Sequence, residues 1–184
     1  MAQAVHAWSA HAAAPLVRLN CATLQKPLIE VELFGYERGA FAGAAHGRAG
    51  LLERAHGGTL FLDEVNELPG PAQAKLLRVL EDQRVTRLGG KHERAIDIRV
   101  VAATSCDLTH EIAVNRFRQD LYFRLDGTTV MLPPLRARRR EDIKKEVERI
   151  CGGKPRRARR SDKPVAIVKW VDGTVLDTVW QIGR

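Results

Sequence analysis

The sequence predicts an α/β fold built on a mostly parallel sheet. Three observations predict it. Thr59-Leu60-Phe61-Leu62 and Arg99 to Thr104 (RVVAAT) are apolar without alternation, as strands buried on both faces are. Between them, Ala72, Leu76, Val79 and Leu80 recur at helical spacing. Strand-like and helix-like segments then alternate along most of the chain, the pattern of a sheet covered by helices.

The elements follow in order. Residues 2–12 are alanine-rich and predict a helix that Pro15 stops. Leu16 to Leu19 predict a short strand ending at Asn20. Residues 24–34 predict a second helix with Leu28, Ile29, Val31, Leu33 and Phe34 as its apolar positions. The glycine-rich stretch 35–50 predicts a loop, and Gly57-Gly58 break the chain before the strand at Thr59. Pro69-Gly70-Pro71 open the next helix, with Pro71 in its first turn. Val85 to Leu88, Gly89-Gly90 and Ala95 to Ile98 read as a strand, a turn and a return. A helix is expected over 116–124 and a strand over Thr128 to Leu132. Around Asp172-Gly173, Val165 to Val171 and Thr174 to Trp180 alternate in strand fashion, a hairpin signal foreign to the α/β part.

Bulk properties narrow the function. The net charge of +8 is concentrated in 136–160, which hold twelve Lys/Arg against four Asp/Glu. Any argument for a polyanionic partner is confined to that run. No apolar run reaches the length of a membrane span, and no basic flank precedes an apolar stretch at the N-terminus. Cys21, Cys106 and Cys151 show no C-x-x-C spacing and read as reduced thiols of a cytoplasmic protein. The histidines form no metal-ligand pattern.

The strongest chemical signal is GGTLFLDE, Gly57 to Glu64. A buried strand ends in two carboxylates, at the edge where parallel sheets bind ligands. Asp63 could hold Mg²⁺ and Glu64 could orient a water against a phosphate. The plainer reading is an acidic pair that ends a strand and caps the next turn. A second signal is GAFAGA, Gly39 to Ala44, a small-residue loop with one aromatic. Phe41 is either an exposed contact residue or a ring folded back on its own domain.

Several blocks in register resemble the central AAA+ ATPase domain of the sigma-54-dependent transcription activators, the bacterial enhancer-binding proteins. VELFGYERGAFAGA is similar to the family's ELFG…GAFTGA signature, and GGTLFLDEV to its Walker B region. RLGGKHERAIDIRVVAAT, FRQDLYFRL and LPPLRARRREDI resemble later blocks in the family's order. The resemblance implies that Asp63 and Glu64 are the metal and water residues, and that ATP and Mg²⁺ are the cofactors. It implies that Asn20 pairs with Glu64 and switches it, and that Ser105 stands where the family has a sensor asparagine. Arg118 and Arg124 resemble arginines that reach a neighbouring subunit's nucleotide, usually in a hexameric ring; the alternative is two surface arginines. Gly39, Ala40, Phe41, Ala42, Gly43 and Ala44 resemble the loop that touches sigma-54 in the RNA polymerase holoenzyme. Ala42 replaces the family's threonine and removes one hydroxyl. Residues 84–98 resemble the surface loop that moves beside it.

The sequence contains no G-x-x-x-x-G-K-[ST]; Gly90-Lys91 and Gly153-Lys154 lack the glycine and hydroxyl that would complete it. On the family pattern, the P-loop and the interior strand before it would precede Ala2. The expected fold is therefore a partial AAA+ core over 1–143, a basic disordered linker over 144–164 and a separate β-hairpin over 165–184. An empty interior position predicts a destabilised sheet and poor ATP affinity. The family's helical lid and a helix-turn-helix for specific DNA are not visible. Three functions are open: a sigma-54 interaction module, a gene remnant that is inactive or poisons rings of complete subunits, or a non-specific nucleic-acid binder working through 136–160. That basic run has no interleaved aromatics, which favours a solvated linker.

Overall fold

The structure is a computed structural model, and it describes residues 2–9, 11–131, 166–170 and 180–181. Its centre is a six-stranded sheet. Strands β1 (Leu16–Asn20), β4 (Thr59–Asp63) and β7 (Arg99–Thr104) run parallel, as their apolar runs predict. The register pairs Leu16 with Thr59 and Asn20 with Asp63, then Thr59 with Arg99 and Leu62 with Ala102. The carboxyl ends of β1, β4 and β7 therefore lie along one edge. Helix α4 (Gly70–Asp82) buries Ala72, Leu76, Leu77, Val79 and Leu80 in a core shared with Ile29, Leu33 and Phe34 of α2 (Lys26–Phe34). Pro71 fits its first turn, where an N–H would have no partner. The helix stops at Gln83, which turns into the left-handed region at φ 52°.

Local chemistry shifts several boundaries. Helix α1 (Ala2–Ala7) is shorter than the alanine content suggests, because Ser9 bends back, its hydroxyl donating to His6 O at 2.7 Å. His6 is a satisfied core histidine, its Nδ1 lying 3.0 Å from Thr59 Oγ1. The stretch read as a plain loop contains the strand pair β2 (Gly35–Tyr36) and β3 (Arg48–Ala49), then helix α3 (Leu51–Arg54). The predicted strand, turn and return are the antiparallel pair β5 (Arg84–Thr86) and β6 (Glu93–Ala95). Helix α5 (Leu108–Ala113) was not expected, although its signal was available: Asp107 caps it, accepting from the Thr109 N–H at 2.9 Å. Helix α6 (Gln119–Leu125) starts later than the expected 116.

The largest departure lies at the far side of the sheet. Strand β8 (Thr128–Met131) is present, but it does not pair with β7. Strand β9 (Ala166–Trp170) lies between them, antiparallel to both. Strand β10 (Trp180–Gln181) pairs antiparallel with β9 and parallel with β8. The strands read as a separate hairpin thus join the α/β sheet, and the position expected to be empty is occupied. Its filling satisfies the backbone groups of β7 that an open edge would leave bare. The Asp172-Gly173 turn, the basic run 136–160 and Cys151 lie outside the described residues. Among the described residues no helix is long and apolar enough to cross a membrane.

Candidate functional site

Two groups of residues carry the chemistry. The first sits at the carboxyl edge of the sheet. The β1–β4 register sets Asn20 beside Asp63. The Asn20 amide donates from Nδ2 to Asp63 Oδ2 at 3.1 Å, while its own Oδ1 accepts the Ala22 N–H at 2.9 Å. The resemblance paired Asn20 with Glu64; in the structure the amide is engaged by Asp63 instead. Glu64 leaves the strand in the left-handed region at φ 52°, which turns its side chain toward β7. There Ser105 holds it: both the Ser105 N–H (3.1 Å) and hydroxyl (2.8 Å) donate to Glu64 Oε2. Neighbouring carboxylates are thus fixed by different partners, one from β1 and one from the turn after β7.

Burial pushes the pKa of Asp63 above its ordinary value, and the adjacent Glu64 charge adds to the rise. The Glu64 N–H and the Asn20 amide oppose it. Beneath them Cys21 is buried, and its N–H donates to Asp63 O at 2.8 Å. Burial pushes its thiol up to about 12, with Asp63, Glu67 and Glu64 contributing, so it stays a neutral packing residue.

The fit of the implied cofactors divides. Mg²⁺ takes oxygen ligands, commonly one or two carboxylates completed by water and substrate phosphates. Asp63 and Glu64 are a suitable all-oxygen pair. Among the described residues no group of three or more His, Cys, Asp or Glu is placed to hold a metal by itself. A nucleotide's phosphates need a glycine-rich turn opening a helix. The described turns at this edge begin Cys21-Ala22-Thr23 after β1, Glu64-Val65 after β4 and Ser105-Cys106-Asp107 after β7, and none contains glycine. Gly90-Lys91 sits instead between β5 and β6. The described residues do not fit ATP phosphates.

The second group is the loop 37–47 between β2 and β3. It closes on itself: the Gly39 N–H donates to Ala44 O at 2.9 Å and the Ala44 N–H to Phe41 O at 3.0 Å. Gly39 (φ 83°) and Gly43 (φ 98°) adopt conformations that other residues resist, and these bracket the aromatic. Phe41 is 44% exposed. Its other face lies on Tyr36, with ring centroids 4.9 Å apart and planes at 56°. The ring is thus packed within the domain on one side and exposed on the other. Ala42 is exposed, whereas Ala44 is buried.

The base of this loop is fastened to the β5–β6 pair. The Glu37 N–H donates to Leu88 O, and the Leu88 N–H to Gly35 O, both at 3.0 Å. Gly89 lies against Ala40 so closely that a Cβ there would sit 2.8 Å from the alanine methyl. Arg87 forks onto Glu53 at 2.6 and 2.8 Å, and Arg94 reaches Glu37 at 2.9 Å. The Arg87 hydrogen bonds and the charges of Arg87 and Arg94 hold Glu53 below the ordinary carboxylate range.

The two arginines part company. Arg118 caps α6, half-exposed and paired with Asp120 at 2.6 Å. Arg124 turns inward, its Nη2 donating to Leu80 O at 2.8 Å. Sequence reasoning missed the residue that sets the Arg118 backbone. Gln73 is fully buried in α4. Its Nε2 donates to Leu68 O (2.7 Å) and Arg116 O (3.0 Å), and its Oε1 accepts the Arg118 N–H at 2.8 Å. A polar residue in the same helical stripe as Leu76, Leu77 and Leu80 was the available signal. Beside it, Gly70, Gln73, Arg116, Arg118 and Phe123 help line an open cleft of about 550 Å³.

Residues 1–131 match the family described as the Sigma-54 interaction domain. The transcriptional regulatory protein ZraR of Klebsiella oxytoca is 50% identical over 143 residues, covering 78% of this chain and 32% of that protein. The Nif-specific regulatory protein of Bradyrhizobium diazoefficiens is 50% identical over 139 residues, covering 76% and 24%. Among solved structures, NtrX from Brucella abortus in complex with ADP superposes with a TM-score of 0.72 at 41% identity, over 84% of this chain and 35% of that one. The chain thus spans about a third or less of the length of these relatives. A parallel α/β sheet flanked by helices, with a family match over 131 of its 184 residues, leaves one assignment: the chain belongs to the sigma-54 interaction domain family.

Proposed function

We propose that the chain is a sigma-54-contacting module of a transcription activator, acting within a ring of like subunits and touching the sigma-54 RNA polymerase holoenzyme through Phe41. The observation that carries this reading is the loop 37–47. It is closed by its own backbone, bracketed by two left-handed glycines and presents Phe41 at 44% exposure. Tyr36 beneath the ring and the Glu37, Glu53, Arg87 and Arg94 ion pairs at the base limit the ordering such a contact would require.

In this reading Asp63 holds Mg²⁺, Glu64 is a water-orienting carboxylate restrained by Ser105, and Arg118 faces a neighbouring subunit's nucleotide. Any nucleotide and Mg²⁺ at this edge would have to be held in part by complete neighbouring subunits, where they would supply phosphoryl chemistry. Asn20 keeps the Asp63 carboxylate oriented, and Ser105 keeps Glu64 away from it. Binding of labelled sigma-54 holoenzyme to rings formed with a complete activator tests the reading. Mixed rings containing Phe41→Ala chains should bind more weakly than rings containing the unaltered chain. Equal binding by the two overturns it.

The glycine-free turns at the carboxyl edge favour a second reading within the same family, that of a subunit that joins a ring without hydrolysing its own nucleotide. Titrating the chain into a complete activator should then lower ATPase activity per complete subunit, and activity that stays constant would refute it.

A further inference from the structure

The place between β7 and β8 is defined by strand pairing, and the inference drawn from it does not rest on the proposed function. Strand β7 is interior: Val100, Val101, Ala102, Ala103 and Thr104 are each no more than 1% exposed. Strand β4 pairs with one edge of it. Its other edge and the facing edge of β8 are rows of N–H and C=O groups that need a partner. Strand β9 pairs with both, and β10 pairs with β8 as well, Gln181 facing Met131. Ala102 faces Val168 on one side of β9 and Thr129 faces it on the other; Thr104 and Met131 both face Ala166.

Two features separate β9 from the strands around it. It is antiparallel to both neighbours, whereas β1, β4 and β7 run parallel. It therefore enters at the carboxyl edge, beside Thr104, and leaves at the opposite edge, where Trp170 faces Val100. Residues 132–165 separate it from β8 along the chain, and β10 also pairs with it, antiparallel. Its sequence, Ala166-Ile167-Val168-Lys169-Trp170, is rich in the β-branched and aromatic residues that suit an interior strand.

We propose that the place between β7 and β8 is a strand-acceptor site, that its ligand is an extended apolar peptide, and that Ala166–Trp170 occupies it as an in-chain ligand that a strand supplied in trans can replace. This is strand addition at a sheet interior, with main-chain hydrogen bonds giving affinity. The bound direction has a consequence. An antiparallel occupant brings the start of a strand to the carboxyl edge, whereas a parallel occupant would bring its end and the loop after it. The two occupants exclude each other.

The test uses the full chain. Val168→Pro breaks the ladder at the middle of β9, where proline has no place in an interior strand. Amide exchange over 99–104 should then accelerate about tenfold or more, the loss of roughly one ladder bond, while 16–20 stay protected. Adding a labelled peptide of residues 163–173 should restore that protection and bind the variant at least ~10-fold more tightly than the unaltered chain, whose site is filled. Unchanged exchange over 99–104 in the variant, or no binding of the peptide to it, overturns the proposal. A second measurement does not depend on the variant's folding. A chain carrying Ala102→Cys and Val168→Cys should form a disulfide between those positions, since directly opposed strand residues lie within its reach. Failure of that cross-link to form under oxidation overturns the proposal as well.

Discussion

Replacing Phe41 by alanine isolates the loop's contact surface from the rest of the domain. An aromatic side chain carries on the order of 200 Å² of accessible area. At 44% exposure, about 90 Å² of it faces solvent and is free to be buried by a partner. At ~25 cal/mol per Å², its loss weakens the contact by about 2 kcal/mol, roughly 30-fold in Kd. The buried side of the ring contributes to the loop itself: the Tyr36 contact at 4.9 Å is worth about 0.5–1.5 kcal/mol. That second effect belongs to loop order and not to the partner's contact. Tyr36→Leu separates the two, because it removes the ring beneath Phe41 and leaves Phe41 in place. The assay is fluorescence anisotropy of labelled sigma-54 holoenzyme against rings formed with a complete activator. Phe41→Ala should cost about tenfold or more, and Tyr36→Leu about fivefold or less, consistent with a loss of preorganisation only. Phe41→Ala binding within twofold of the unaltered ring would refute the argument that the exposed ring is the contact.

Restoring the hydroxyl with Ala42→Thr, at an exposed loop position, should tighten the same binding by about fivefold, the worth of one net hydrogen bond near 1 kcal/mol. Glu53→Ala should lower unfolding free energy at neutral pH by about 2 kcal/mol, because Arg87 loses a bidentate partner in a site where both side chains are mostly buried. Since Glu53 titrates below its unfolded value, that contribution is full above about pH 4.3 and fades as the pH falls below it, so denaturant curves of the two forms should converge in acid. Gln73→Leu should cost about 3 kcal/mol in the same measurement, since Leu68 O, Arg116 O and the Arg118 N–H all lose their partner. If the segment 156–160 binds nucleic acid, changing its arginines to alanine should abolish binding to random duplex DNA and flatten its salt dependence.

The parts of the fold legible in the sequence were legible for a physical reason. The runs at Thr59 and Arg99 read as interior strands because both faces are apolar; β7 is buried on both faces, whereas in β4 Leu60 and Leu62 are buried and Phe61 is only partly so. Helix α4 read correctly because its stripe keeps helical period from Ala72 to Leu80. The carboxylates could be placed at the sheet's carboxyl edge because they come after an apolar run without a break. Their partners could not. Which of Asp63 and Glu64 an amide reaches depends on strand register and on a left-handed turn at Glu64, and neither leaves a mark in a single sequence. Gln73 was hidden for the opposite reason: a polar residue inside an apolar stripe looks like noise until its three partners are seen.

The position of β9 shows the same limit at the level of topology. Local alternation around Asp172-Gly173 predicted strands, but nothing local says which edge a strand will seek. A free edge on β7 and another on β8 exert a demand for backbone partners that is a property of the assembled sheet. An apolar β-branched segment elsewhere in the chain meets that demand, in the antiparallel direction. The expectation of an open sheet came from the family pattern, in which an interior strand precedes the P-loop. The observed sheet closes because hydrogen-bonding capacity is settled over the whole molecule. The carboxyl edge is left with carboxylates, an amide and a serine, and without a phosphate cradle among the described turns. An occupant that enters at that edge cannot supply one, since a cradle needs a strand that ends there. The exposed Phe41 loop, by contrast, depends on α2, α3 and the β5–β6 pair, none of which touches that choice. The proposed partner contact and the occupancy of the place between β7 and β8 are therefore separable, and the Phe41 and Val168 variants probe them one at a time.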